Sequence, residues 1–248
     1  MSRYPELSEA MVLRIDSSFM TWVKVCGMTN LEDALLAVDA GADAVGFVFY
    51  ERSPRCVTAE AAREIVGKLP ESVEKIGVFA GLSIESAVDT SLYAGFNAVQ
   101  VYPMTHTPQS DRAFGVSDSI DLKIYLALPI AAFLGEGNRN AVTFSEENSR
   151  GAFDTLFLDS GNSQHPGGTG RTFDWHQGSS AVKELSLHRK VVIAGGLTPE
   201  NVNQALAVLN PFGVDVVSGV EVSPGKKDPQ KVRAFVRAVR AADRKGVV

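Results

Sequence analysis

From residue 22 onward, short β-branched and apolar runs alternate with amphipathic stretches of helical length. The runs are Trp22–Val25 (WVKV), Ala44–Phe49 (AVGFVF), Lys75–Phe79 (KIGVF), Ala98–Val101 (AVQV), Lys123–Ala127 (KIYLA), Thr155–Leu158 (TLFL), Val191–Ala194 (VVIA) and Val214–Val217 (VDVV). Their near-continuous hydrophobicity is what strands buried on both faces require. Between them, Leu31, Ala34, Leu35 and Val38 recur at helical spacing opposite Glu32, Asp33 and Asp39. Thr58 precedes a helical stretch from Ala59 to Leu69, and Pro199 opens another running to Val208. The last stretch, Asp228 to Arg240, aligns Val232, Phe235, Val236 and Val239 on one face.

Strand–helix alternation repeated eight times builds an α/β fold, either a closed parallel barrel or a doubly wound open sheet. The count of eight and the length of 248 residues favour a single (β/α)8 TIM barrel. Two regions fit the alternation poorly. Tyr102 to Asp121 is polar, broken by two prolines and without a helical stripe, so the fourth helix is expected to be short, displaced or missing. Pro129 to Phe153 carries the loop-like GEGNRN and room for only a brief helix over Phe144 to Ala152. Residues 1–20 lack both a sustained apolar core and a small-residue cleavage site, so they read as a loose extension or an early start, with Met11 and Met20 as alternative initiators. The barrel is assigned to residues 21–248.

Composition narrows the class. Formal charge is −5, which offers no basic field for nucleic acid or an anionic membrane. Only Cys26 and Cys56 occur, without CxxC spacing, which fits a reducing cytoplasm better than a disulfide framework. The four histidines, His106, His165, His176 and His188, show no zinc spacing, so no metal is expected. No apolar run approaches the ~20 residues of a membrane helix. A compact monomer is the default expectation.

In such barrels the chemistry lies where the strands end, because eight loops converge there. The first run ends in Cys26-Gly27, and the second leads into SPR with Arg55. The sixth ends in Asp159-Ser160, followed by GGTG with Gly168; the seventh ends in Gly195-Gly196; the eighth contains Asp215 and ends in Ser218-Gly219. Glycine-rich turns after the last two strands often bind phosphate through backbone N–H groups. A phosphorylated small molecule is therefore the expected partner. Each residue also has a plainer reading. Cys26 could be a small core residue, Asp159 a turn or helix cap, Arg55 a surface charge, Asp215 a buried structural partner, and the glycines could merely shape turns.

KVCGMT (Lys24–Thr29), GFVFYERSPR (Gly46–Arg55), IGVF (Ile76–Phe79), the segment Leu158–Trp175 with LDS, GGTG and FDW, AGGLTPENV, and VDVVSGVEVSPGKKD occur in this order. Together they resemble the phosphoribosylanthranilate isomerases of tryptophan biosynthesis. The resemblance covers most of residues 22 to 240. One departure is specific: where the family usually carries VQLHG, this chain reads VQVYP, with Tyr102 and Pro103 in place of His and Gly.

The resemblance implies an Amadori rearrangement of N-(5-phosphoribosyl)anthranilate, with Asp159 as general acid and Cys26 as general base. Arg55 would clamp the anthranilate carboxylate, Asp215 would orient the substrate amine, and Gly168, Gly195, Gly196, Ser218 and Gly219 would contact substrate. No cofactor is implied, because the substrate's nitrogen supplies the electron sink. The chemistry asks that the Cys26 pKa be held near its ordinary ~8.5 or lowered. It asks that Asp159 be raised from ~3.9 by burial or a nearby carboxylate. Two alternatives remain: the related histidine-pathway sugar-phosphate isomerase, and a non-catalytic sugar-phosphate binder on a decayed barrel.

Overall fold

A computed structural model describes residues 20–102, 121–134, 153, 155–161 and 170–244. Eight parallel strands close into a barrel in sequence order: β1 (Trp22–Cys26), β2 (Ala44–Phe49), β3 (Glu74–Ala80), β4 (Ala98–Tyr102), β5 (Lys123–Pro129), β6 (Thr155–Asp159), β7 (Lys190–Ile193) and β8 (Gly213–Val216). Closure comes from β1 pairing β8 with Lys24 beside Asp215. The helices are α1 (Leu31–Asp39), α2 (Ala59–Val66), α3 (Ile84–Ala94), α4 (Trp175–Ser186), α5 (Val202–Leu209) and α6 (Pro229–Arg244). A short hairpin, β9 (Glu221–Ser223) with β10 (Lys226–Lys227), follows β8.

Side-chain oxygens set where most helices begin. Asn30, Thr58, Ser83 and Asp174 each accept a backbone N–H of the first turn, satisfying donors that would otherwise be orphaned. The Asp of the FDW motif is thus a cap, and Trp175 packs at the helix start. Pro199 does not open its helix; α5 starts three residues later, after a turn in which Asn201 accepts from the Thr198 N–H. The helix expected to reach Leu69 stops at Val66 with Gly67 as its cap.

Strand parity divides the core in two. Val23, Val25, Val45, Phe47, Val99, Leu126, Leu156, Val191, Val214 and their like face the helices. The alternate positions fill the barrel, with Ala44, Ile76, Ala98, Tyr125, Phe157 and Val192 among them. Trp22 closes the lower end, its ring 6.1 Å from that of Phe157 in a T-shaped contact. The interior is apolar below and polar above, because Lys24, Gln100, Asp159 and Asp215 are buried on these same inward positions.

After β5 a 3-10 turn, Ile130–Phe133, takes the place where a helix would begin. The fourth-helix region, the brief helix over Phe144 to Ala152 and the extension over 1–20 (save Met20) fall outside the described residues. Among the described residues no helix is long and apolar enough to cross a membrane.

Candidate active site

A cavity of about 410 Å³ opens at the C-terminal end of the strands, within the range usual for small-molecule sites. Its lining includes Cys26, Arg55, Asp159, Gly195, Gly196, Asp215, Ser218 and Gly219. The structure therefore brings together every site residue expected from sequence that it describes. Gly168 lies outside the described residues.

Cys26 ends β1 and is buried beside Lys24. Gly46, its register partner on β2, leaves the necessary room: a Cβ there would sit 2.6 Å from the sulfur and 2.9 Å from Lys24 Cε. The thiol is not held near its ordinary value, as the sequence reading asked. Burial pushes its pKa up, Lys24 works against that, and Asp215 adds to the rise. The reason is depth: the sulfur sits inside the barrel wall, and one lysine only partly compensates for its lost hydration.

Asp159 ends β6 and behaves as expected. Burial raises its pKa to about 6, the Gly161 N–H opposes, and Asp215 adds to the rise. The plainer reading also holds, since Asp159 Oδ1 accepts from the Gly161 backbone N–H at 2.6 Å. A capped turn and a raised carboxyl are compatible. The turn fixes one oxygen and leaves the other for the cavity.

Lys24 and Asp215 form a wholly buried ion pair at 3.0 Å. The lysine stays charged: burial lowers its pKa, but Asp215 and Cys26 outweigh that. Phe157 presents its ring 5.2 Å from the ammonium. Among the described residues Asp215 Oδ1 has no hydrogen-bond partner, an arrangement costly unless a ligand donor meets it. Removing one member of a buried pair typically costs ~3–5 kcal/mol by stranding the other charge. Lys24→Met is thus expected to lose stability of that order in urea unfolding, and to slow alkylation of Cys26 at pH 8 in a Cys56→Ala background.

Arg55 is not a surface charge. Its Nε and Nη2 donate to Glu221 Oε1 and Oε2 at 2.9 and 2.7 Å. A guanidinium has five N–H donors, so three remain for a ligand. Burial works to raise the Glu221 pKa, but Arg55 and Lys227 hold it below the usual range. Lys227 Nζ binds Glu221 at 3.1 Å and the Cys26 carbonyl at 2.6 Å. This buried group ties the end of β1 to the segment after β8 and aims Arg55 across the mouth.

On the far side, Gly195 and Gly196 take φ of +89° and +64°, a region that favours glycine. A Cβ on Gly196 would run into the Arg171–Thr172 backbone, so the turn needs close approach as well as positive φ. Ser218–Val220 forms a 3-10 turn whose first residues also line the cavity. Lys24, Glu221, Lys227 and Gln100 were not singled out from the sequence, and Tyr102 was noted only as a departure from the family pattern. Cys56, by contrast, is exposed and forms an isolated bridge with Val48.

A closed (β/α)8 barrel with a raised carboxyl, a buried thiol and glycine turns around one mouth defines a class: the barrel enzymes that act on small molecules by acid–base chemistry. Over residues 23–238 the chain matches the family described as N-(5'phosphoribosyl)anthranilate (PRA) isomerase. The N-(5'-phosphoribosyl)anthranilate isomerase of Thermotoga neapolitana is 40% identical over 221 residues, covering 89% of this chain and 99% of the relative. Among solved structures, a phosphoribosyl anthranilate isomerase in complex with reduced 1-(o-carboxyphenylamino)-1-deoxyribulose 5-phosphate superposes with a TM-score of 0.71 at 36% identity, covering 90% of this chain and all of that one. Monomers generated from the dimeric enzyme of Thermotoga maritima give a TM-score of 0.71 at 35% identity, with the same coverage. The chain belongs to the PRA isomerase family, the isomerases of tryptophan biosynthesis.

Proposed function

We propose that this chain converts N-(5-phosphoribosyl)anthranilate into 1-(2-carboxyphenylamino)-1-deoxyribulose 5-phosphate, with Asp159 as general acid and Cys26 as general base. The observation that carries the assignment is the shared cavity: a carboxyl raised to about 6 and a buried thiol beside Lys24 line one mouth. Asp159 protonates the furanose ring oxygen, the C1′–O bond breaks, and the nitrogen lone pair forms the iminium. The Cys26 thiolate then takes the C2′ proton, and those electrons neutralise the iminium to give an enolamine. Tautomerisation adds a proton at C1′ and removes one from the 2′-hydroxyl, so the net change is an isomerisation.

Lys24 supports the thiolate by its charge, and the unpartnered Asp215 Oδ1 accepts the substrate N–H. The three remaining Arg55 donors take the anthranilate carboxylate. Backbone N–H groups at Gly195, Gly196, Ser218 and Gly219 take the phosphate. The chain acts as a cytoplasmic monomer, the location supported by its two free thiols.

Loss of the substrate's anthranilate fluorescence on adding enzyme to N-(5-phosphoribosyl)anthranilate tests the reading. Folded protein that leaves the fluorescence unchanged would sink it. In the same assay Arg55→Lys keeps the charge but loses the planar fork, and KM is expected to rise about tenfold with a smaller change in kcat.

A further inference from the structure

Arg55 lines the cavity, and Glu221 stands behind it, outside the lining. The arginine stem lies across the end of β1: a Cβ on Gly27, which takes φ of +82°, would meet Arg55 Cδ at 2.8 Å. The guanidinium then meets Glu221 edge to edge, Nε donating to Oε1 at 2.9 Å and Nη2 to Oε2 at 2.7 Å. Those two donors share one edge of the planar group. Of the three left, one on each terminal nitrogen makes a second parallel edge, the arrangement that grips a carboxylate with two hydrogen bonds. Glu221 is itself held in place. Its Oε1 also accepts from Lys227 Nζ at 3.1 Å and from the Gly225 N–H at 3.3 Å. Lys227 is buried, and its ammonium donates as well to the carbonyls of Cys26 at 2.6 Å and Val217 at 3.4 Å. Its backbone N–H donates to Asp33 Oδ2 at 2.9 Å, and Thr29 Oγ1 donates to the Gly225 carbonyl at 2.6 Å. The β9–β10 hairpin is thereby fastened to β1 and to the loop after it. All three ammonium protons are spent inside the protein, so Lys227 serves as a strut.

We propose that Glu221 is a positioning residue for substrate selection: by occupying one edge of the Arg55 guanidinium, it commits the free edge to an aromatic carboxylate in the cavity. This rests on the role given to Arg55 above. An unbraced arginine samples many rotamers and meets a carboxylate through one hydrogen bond as readily as through two. A braced one offers its planar fork in a single geometry. Arg55 and Lys227 keep Glu221 ionised, so the brace persists at neutral pH. Because Lys227 ties Glu221 to the Cys26 carbonyl, the carboxylate clamp and the base share one frame.

Glu221→Asp tests this. It keeps the charge that Lys227 needs and draws the carboxylate back by one methylene, out of reach of a two-point contact. The probes are reduced 1-(o-carboxyphenylamino)-1-deoxyribulose 5-phosphate and its phenylamino counterpart without the carboxylate, titrated by calorimetry. Wild type should favour the carboxylated probe. In Glu221→Asp that probe is expected to weaken at least about tenfold, and the other by less than about twofold. A structural defect at the mouth would weaken both alike, since they share the sugar and the phosphate. Glu221→Gln, equal in length and uncharged, should give the same split. In an Arg55→Lys background Glu221→Asp should add less than about twofold, because the fork it braces is gone. Equal losses on both probes, or a carboxylated probe bound as tightly as by wild type, would overturn the proposal. Wild type that binds neither probe would contradict the isomerase reading and the proposal with it. Wild type that favours the carboxylated probe upholds that reading whatever the variants do.

Discussion

Cys26→Ser is expected to lower kcat/KM by at least about 100-fold while the protein melts as a folded barrel. The substitution is nearly isosteric, and the serine oxygen has Lys24 beside it, so the buried site is not left without a hydrogen-bond partner. What is lost is acidity. A serine hydroxyl has no accessible anion near neutral pH, whereas the thiol can ionise beside the Lys24 ammonium. Burial raises the thiol pKa, so the thiolate is a minority species in the ligand-free enzyme. This is compatible with catalysis because the thiol and Asp159 hold one proton between them over a wide range. With the carboxyl near 6 and the thiol higher, that proton sits mostly on sulfur, and the reactive arrangement is the tautomer with it on Asp159. The stoichiometry is right from about pH 6 up to the raised thiol value. Below that window both groups are protonated; above it both are ionised. A Cys26→Ser variant within tenfold of wild type would remove the thiol from the mechanism.

The strands were legible because each is buried on both faces and leaves a run that neither a loop nor a surface helix would carry. Cys26 and Asp159 were legible for a related reason, as reactive residues at the last positions of such runs. Lys24 was not. A lysine in WVKV looks like a solvated side chain, and its partner Asp215 lies 191 positions away. Parity within the strands held the missing signal. Lys24 is two residues from Cys26, Gln100 is two from Tyr102, and strand side chains alternate faces. Each lies on the same inward face as its neighbour. Glu221 and Lys227 stood within VSGVE and GKKD, but the pairing of Glu221 with both Arg55 and Lys227 depends on a hairpin that brings the rim back on itself. The early start proposed for α5 at Pro199 failed because proline's favoured place in the first turn is a tendency, and here the Thr198–Asn201 turn took it.

Asp159→Asn is the second large effect, and its two consequences run in opposite directions. The amide still accepts from the Gly161 N–H, so the turn survives, but it cannot protonate the ring oxygen. A loss of at least about 100-fold in kcat/KM is expected. Stability should move the other way. A carboxyl whose folded pKa is raised to about 6 binds a proton more tightly in the folded chain than in the unfolded one. The stability tied to that proton is full below the unfolded value and is lost as pH rises through about 6. At pH 7 the buried carboxylate is therefore a liability, and the neutral amide should melt at an equal or higher temperature. Lower activity with unimpaired folding is the signature of a residue kept for chemistry.

The most direct test is the pH dependence of kcat/KM for N-(5-phosphoribosyl)anthranilate, measured by fluorescence for the wild type and Asp159→Asn side by side. The wild type should show an acidic limb near pH 6, and the variant should fall at least about 100-fold and lose that limb. A variant that turns over near the wild-type rate, or keeps the limb near pH 6, would contradict the assignment of Asp159 as the acid.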